Sequence, residues 1–450
     1  LTDISTLGAA ITAGSIAATT AIGTINVSGN AIDFTTLESE INRFDGFRTG
    51  TDIAAFTLAA TTTVTLGTQD EVTAFIADVA AGLVSVTGAS QAVTVTPSGS
   101  GGVDISHTDA IALAAAAGGT VTATIVNTTT VAQLATLYDA GETNAYTITI
   151  RGADATGSTA AEFNAINSAT SEAINASVVT SISGTAADIA TLMSAAEQTA
   201  EFTATSFDLI AATDGLSITG TTIDVTDLNN AITRANTTSN NTVLAAFASA
   251  QGDITVNDGT ITEFESLLQL ETESKINITG LNLTTTTVNV TQANTLTGAT
   301  TGTVTATVNA GGVNALTDLN ADGDNNAALS ITITDNSASA ADLNTINAAT
   351  TVAVDATAIA TISSSSLTDI STLGAAITAG SIAATTAIGS INVSGDAIDF
   401  TTLESEINRF DAFRIDPAVA AFTLAATTTV TLGTQDEVTA FLADVAASLV

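Results

Sequence analysis

The residues best suited to chemistry lie in the run DLNADGDNN, residues 318 to 326. Asp318, Asn320, Asp322 and Asp324 alternate there, with Gly323 in sixth place. That is the spacing of a calcium loop, in which hard oxygen donors on every second residue wrap the cation and a glycine permits the tight turn. The twelfth position, where such loops place a bidentate Glu, holds Leu329. The matching run YDAGETN, which starts at Tyr138, keeps Gly141 and Glu142 but lacks the alternating carboxylates. The expectation is a metal site at Asp318, Asn320, Asp322 and Asp324, with Ca2+ as the cofactor it would take.

Other carboxylates invite an acid–base reading, since a pair of Asp or Glu side chains can divide general-acid and general-base work. Their positions argue for capping instead. A Thr or Ser stands three residues before an acidic one in Thr35 with Glu38, Thr68 with Glu71, Thr159 with Glu162 and Thr185 with Asp188. Thr260 with Glu263, Ser339 with Asp342 and Ser366 with Asp369 repeat the pattern. In a capping box the hydroxyl accepts from the third helical amide and the carboxylate reaches back to the cap's own amide. A negative charge there also meets the positive end of the helix dipole, which contributes about 0.3 to 1 kcal/mol. His107, the only histidine, sits at an expected helix start with no Cys or second His to share a metal. The sequence predicts no catalytic residues and no enzyme.

The caps open helices. Val72, Phe75, Ile76 and Val79 fall at i, i+3, i+4 and i+7, as do Ile189, Leu192, Met193 and Ala196, so each helix buries one stripe. Between them, INVSGNAIDF (25–34), LSITGTTIDV (216–225) and INITGLNLTTTTVNV (276–290) alternate Ile, Val or Leu with polar residues around a Gly. These are half-buried strands with a bend. The predicted fold class is α/β: a repetitive solenoid of ~30-residue strand-bend-strand-helix rungs, with a parallel β-sheet and a helix layer. Strands stack about 4.8 Å apart and helices about 8 to 10 Å, so the stack is expected to curve or become superhelical. Thr runs at 61–68, 120–130 and 283–291 put hydroxyls on the outer strand face. Such rows order water on ice-binding sheets, but here they lack a strict spacing from rung to rung.

The repeat has larger scales. Residues 1–84 recur as 367–450 without a gap and with ten substitutions, among them Thr24 to Ser390, Asn30 to Asp396 and Ile76 to Leu442. Residues 131–150 also align with 313–333, and 158–170 with 337–350. The expected organisation is one full block at 1–366, made of half-blocks near 1–183 and 184–366, followed at 367–450 by the start of the next. So close a copy suggests a window on a longer array.

Composition narrows the partners. Among 450 residues, Asp+Glu number 45 and Lys+Arg 7, for a net charge of -38, while 45% are hydrophobic. A disordered acidic tail would lack that apolar content. Seven scattered cations offer no stripe for phosphates, which excludes nucleic acid as an expected partner, and no apolar run reaches the ~18 residues needed to span a bilayer. Cysteine is absent, so disulfides and thiolate metal sites are excluded. No secretion signal is visible in LTDISTLGAA. The expected partners are the chain itself, divalent cations and surface polysaccharide.

Phrases such as TAAEFNAINSATSEAINASVVTSISGTAADIATL (159–192) and SAADLNTINAATTVAVDATAIATIS (339–363) carry a family resemblance. The chain resembles, along nearly its whole length, the giant Ala/Thr-rich β-strand-repeat surface proteins of aquatic bacteria, cyanobacteria above all. That resemblance implies export to the cell surface and a scaffolding, adhesive or motility-related role, with no catalytic residues to carry over. The expected function is an extracellular structural repeat protein of a cell-surface filament, fibre or layer. An adhesin stalk or a glycan-binding or ice-binding module is the alternative.

Overall fold

The computed structural model describes residues 1–17, 22–47, 55–86, 91–137, 144–197, 201–203, 207–209, 215–239, 242–323, 326–384, 388–395, 397–413 and 421–450. The fold is mixed α/β, with fifteen α-helical segments among the described residues. The predicted local order is found repeatedly. Strand Ser390–Ser394 bends at Gly395, enters strand Ala397–Asp399 and continues directly into helix Phe400–Ala412. Gly395 has φ +141°, a backbone conformation that L side chains rarely adopt.

Contacts divide the chain into two compact units, 1–219 with 230–248 and 220–229 with 249–450. The sequence-block boundaries near 183 and 366 fall inside these units. Residue 183 lies within strand Ile182–Thr185, and helix Leu367–Ala379 follows strand Thr361–Ser366 without a break.

In the first unit the two strands of a repeat go to different sheets. Thr24–Val27, Ala55–Leu58 and Val84–Val86 form one, and Ala31–Asp33, Thr63–Leu66, Ala92–Val95, Val121–Thr124 and Ala145–Thr147 form another. A third joins Ser158–Thr159, Ile182–Thr185, Leu216–Thr219 and Ala245–Phe247. The second unit contains a five-stranded, a four-stranded and two two-stranded sheets. All the described strand pairings are parallel. A parallel pair needs a crossover long enough to carry the chain back, and the helix of each repeat supplies it.

The core lies between strands and helices. Val64 and Leu66 point inward from one strand, and Val72 and Phe75 answer from helix Gln69–Ala80. Phe75 meets Phe34 of helix Phe34–Asp45 edge to face, with ring centroids 5.6 Å apart. Phe163 meets Phe207 at 5.5 Å in the same way. Such aromatic pairs contribute about 0.5 to 1.5 kcal/mol beyond their area. Among the described residues no helix is long and apolar enough to cross a membrane.

Near-identical sequence acquires different burial at its two locations. Val64, Leu66, Val72 and Phe75 are buried, whereas the equivalent Val430, Leu432, Val438 and Phe441 are half-buried. Phe75→Ala is therefore expected to cost about 3 to 5 kcal/mol and Phe441→Ala well under half of that. Urea unfolding with native-state hydrogen exchange of helices Gln69–Ala80 and Gln435–Ala446 measures both, and equal losses would contradict the structure.

Candidate functional site

The calcium-type run forms a turn built from its own polar atoms. Asp322 accepts from the Asn326 N–H at 2.8 Å with one oxygen and from the Ala327 N–H at 3.1 Å with the other. The Asn320 N–H donates to Asn294 Oδ1 and the Asp318 carbonyl accepts from Asn294 Nδ2, both at 2.8 Å. Asn326 is buried and donates to the Thr300 carbonyl at 2.7 Å. Leu329 is buried in strand Ala327–Ser330. Asp324 lies outside the described residues, as do Tyr138, Gly141 and Glu142. Among the described residues no group of three His, Cys, Asp or Glu converges as a metal site. Both Asp322 oxygens accept from backbone amides, which closes the turn from residue 322 to strand Ala327–Ser330.

The caps behave largely as their spacing predicts. Thr68 with Glu71 and Thr159 with Glu162 form capping boxes, while Thr185, Ser339 and Ser366 accept from the amides of Asp188, Asp342 and Asp369. One pair does not form. Helix Phe34–Asp45 is capped by Asp33, which accepts from the Thr36 N–H at 3.2 Å, so Thr35 is already helical and does not pair with Glu38. Burial of Phe34 sets the helix to begin there.

Released from capping, Thr35 reaches the next repeat. Its hydroxyl donates to Glu71, the carboxylate of the following capping box. In the second unit, Thr226 donates to Glu263 at 2.7 Å and Thr401 to Glu437 at 2.9 Å. In all three cases an N-terminal Asp two residues before the Thr caps the first helix: Asp33, Asp224 and Asp399 accept from amides of its first turn. The readable signal is Asp-x-Thr followed 36 or 37 residues later by the Glu of a cap.

A second link uses asparagine. Asn164, Asn229 and Asn344 each stand fifth in a helix and donate through Nδ2 to the carbonyls of Asp188, Glu263 and Asp369, at 3.0, 2.8 and 2.9 Å. Each acceptor is the acidic third residue of the next helix. The sequence trace is an acidic residue, one apolar residue and Asn, as in EFN, DLN and DLN.

A partly buried ion pair makes a third link. Glu40, 2% exposed, binds Arg43 at 2.8 Å, and Arg43 donates to the Ser5 carbonyl at 3.1 Å. Glu406, Arg409 and Ser371 repeat this. Gly8 allows the close approach, because a Cβ there would stand 2.8 Å from Arg43 Cδ. The helix carries a glycine in its middle so that arginine can cross it.

On the outer face Thr65, Thr94 and Thr122 stand in register on three neighbouring strands, and Ala145 ends the row. Thr287, Thr307 and Ser330 make a similar row in the second unit. The hydroxyl rows are thus regular over three strands. His107 opens helix His107–Ala116, as expected, and Tyr146 is buried with its hydroxyl donating to the Ala110 carbonyl at 3.2 Å.

The chain matches no family model, no curated protein and no solved structure. The geometry itself must carry the functional reading, and what it repeats is a contact between successive helices.

The Glu263 carboxyl is held below its ordinary value first by the Thr226 hydroxyl, then by the amide and hydroxyl of Thr260. A lowered folded value means stability present above the unfolded value and lost as pH falls through the folded one. Thr226→Val should move the Glu263 titration upward, read by carboxyl-carbon NMR, and an unmoved titration would remove the link. Asp322→Ala should lower the urea midpoint equally in EDTA and in calcium, since it strips two amides of their acceptor. A loss confined to calcium would assign the loop to the cation.

Proposed function

We propose that the chain is an extracellular structural repeat protein, part of a bacterial cell-surface filament, fibre or layer. The observation that carries this reading is the recurrence of one contact set between successive helices. The Thr-to-Glu link at residues 35 and 71 returns at 226 and 263 and at 401 and 437, and the Asn-to-carbonyl link returns three times. A chain selected to present one catalytic or binding centre has no need to repeat its joints; a chain selected for length does. The resemblance to giant Ala/Thr-rich surface proteins of aquatic bacteria points the same way. On this reading the parallel sheets and helices continue as a solenoid, curved because strands and helices have different natural spacings.

Assembly then follows from charge. With a net charge of -38, neighbouring chains repel at low salt. At ~0.1 M salt the Debye length is about 10 Å, and divalent cations bridging carboxylates remove more of the repulsion. Cations are therefore working partners of the assembly even if no loop cages one.

The hydroxyl rows favour a second reading, an adhesin stalk or a surface that binds ice or polysaccharide. The Thr65, Thr94 and Thr122 row supports it, because strands about 4.8 Å apart offer a regular set of hydroxyls and methyls. Thermal hysteresis, or retention on a polysaccharide, that is lost in Thr94→Lys would establish this alternative.

Electron microscopy of native material tests the leading reading, which expects ordered fibres or sheets. Desalting with chelation should loosen them while far-UV circular dichroism stays unchanged. Isolated rods under every ionic condition would overturn it.

A further inference from the structure

Asp78 has a carboxylate oxygen that nothing in the chain serves. The residue is half-buried on helix Gln69–Ala80, and its Oδ2 is buried without a hydrogen-bond donor. The facing helix, Phe34–Asp45, brings Glu38, also half-buried. The Phe34–Phe75 ring pair and the Thr35 hydroxyl on Glu71 hold the two helices together, so the carboxylates are not free to move apart. Burial first, and Glu38 second, raise the Asp78 carboxyl above its ordinary value.

The neighbouring groups do not offset that charge. On helix Phe34–Asp45, Arg43 is taken by Glu40 and by the Ser5 carbonyl, and Asp45 adds a negative charge. Helix His107–Ala116, which also packs on Gln69–Ala80, carries His107 and Asp109. Asp109 accepts from Gln69, about 13 Å before Asp78 along the helix. Asp70 and Glu71 stand at that same end, and the adjacent strand Val84–Val86 has no charged residue.

The same joint also occurs without the acids. Thr226 links helix Val225–Thr238 to Glu263 of helix Ile261–Thr272 as Thr35 links to Glu71. Counting from those residues, Asn229 stands in the place of Glu38 and Leu270 in the place of Asp78. Leu270 is buried, and Asn229 donates to the Glu263 carbonyl. The near-copy formed by helices Phe400–Ala412 and Gln435–Ala446 keeps both acids, as Glu404 and Asp444. Asp444 Oδ2 is again buried without a donor, and burial raises its carboxyl. Forming the joint therefore does not require the acidic pair.

We propose that the acidic pair makes this a pH-sensitive joint, loose while Asp78 and Glu38 are both ionised and tightened when Asp78 takes up a proton. Protonation removes charge from a poorly solvated position and ends the repulsion between the helices. The sign follows from linkage. A carboxyl with a raised folded value binds more protons folded than unfolded, so stability falls as pH rises from the ordinary value through the folded one, and returns on acidification. Glu263 runs the other way, because its folded value is lowered and its contribution is lost as pH falls. This property is independent of what the chain assembles into.

Native-state hydrogen exchange of the intact chain between about pH 7 and about pH 4, corrected for the intrinsic exchange rate, reads the joint. Protection of helix Gln69–Ala80 should rise several-fold on acidification, while helix Ile261–Thr272 should not gain. Asp78→Asn, which keeps the shape without the charge, should raise protection of its helix at neutral pH and flatten the response. Glu38→Gln should move the Asp78 titration, followed by carboxyl-carbon NMR, downward but leave it above the ordinary value, since burial is the larger cause. An Asp78 that titrates at the ordinary value in the unaltered chain would overturn the proposal even if neither variant folded. So would two helices that respond alike to pH, or an Asp78→Asn chain that keeps the full response.

Discussion

A helix of about three turns backed by two short strands has an apolar face on each side and can cover neither by itself. Everything else in the chain answers that constraint. Parallel pairing brings the next repeat alongside, and the helix returns the chain to the same end before the next strand begins. The same polar contacts recur between successive helices. The polar contacts at these joints set the alignment. Thr226 and Asn229, three residues apart on one helix, grip Glu263 by its carboxylate and by its carbonyl. An apolar stripe can slide by a turn at modest cost, but two directed hydrogen bonds to one residue cannot.

The acidic residues look different once their partners are known. Glu263 accepts from its own cap and from the preceding helix, and Asp322 holds two amides of a turn. Asp154 takes the Arg151 guanidinium and also accepts from the Val131 N–H, which holds its carboxyl below the ordinary range chiefly through Arg151. Carboxylates here act as acceptors for backbone and hydroxyl donors, and that suits a chain with few cations. By contrast, burial and then Glu38 push the Asp78 carboxyl up, where two helices bring like charges together.

Much of this was legible from residue order. Thr68 with Glu71 and Thr159 with Glu162 marked helix starts because capping is local: the atoms that bond are three residues apart whatever lies around them. Leu216 and Ile218 in LSITGTTIDV marked an inward strand face for the same reason, since alternation is a property of the extended backbone. Thr35 misled, because two local caps competed and burial of Phe34 chose Asp33. Gly8 gave no local signal. Its purpose depends on Arg43, which arrives from another helix.

The sequence by itself determined where most of the capped helices begin, which stripe of each is apolar, and that the pattern repeats. These depend on interactions within a few residues. Only the tertiary structure decided which apolar stripe is covered, which carboxylate is shared between helices, and that Asp322 holds two amides of a turn. Residues 55–84 and 421–450 separate the two most plainly. They share nearly all their residues and the same secondary structure, yet Phe75 is sealed and Phe441 is not. Burial belongs to the neighbour as much as to the residue, and a segment does not encode its neighbour.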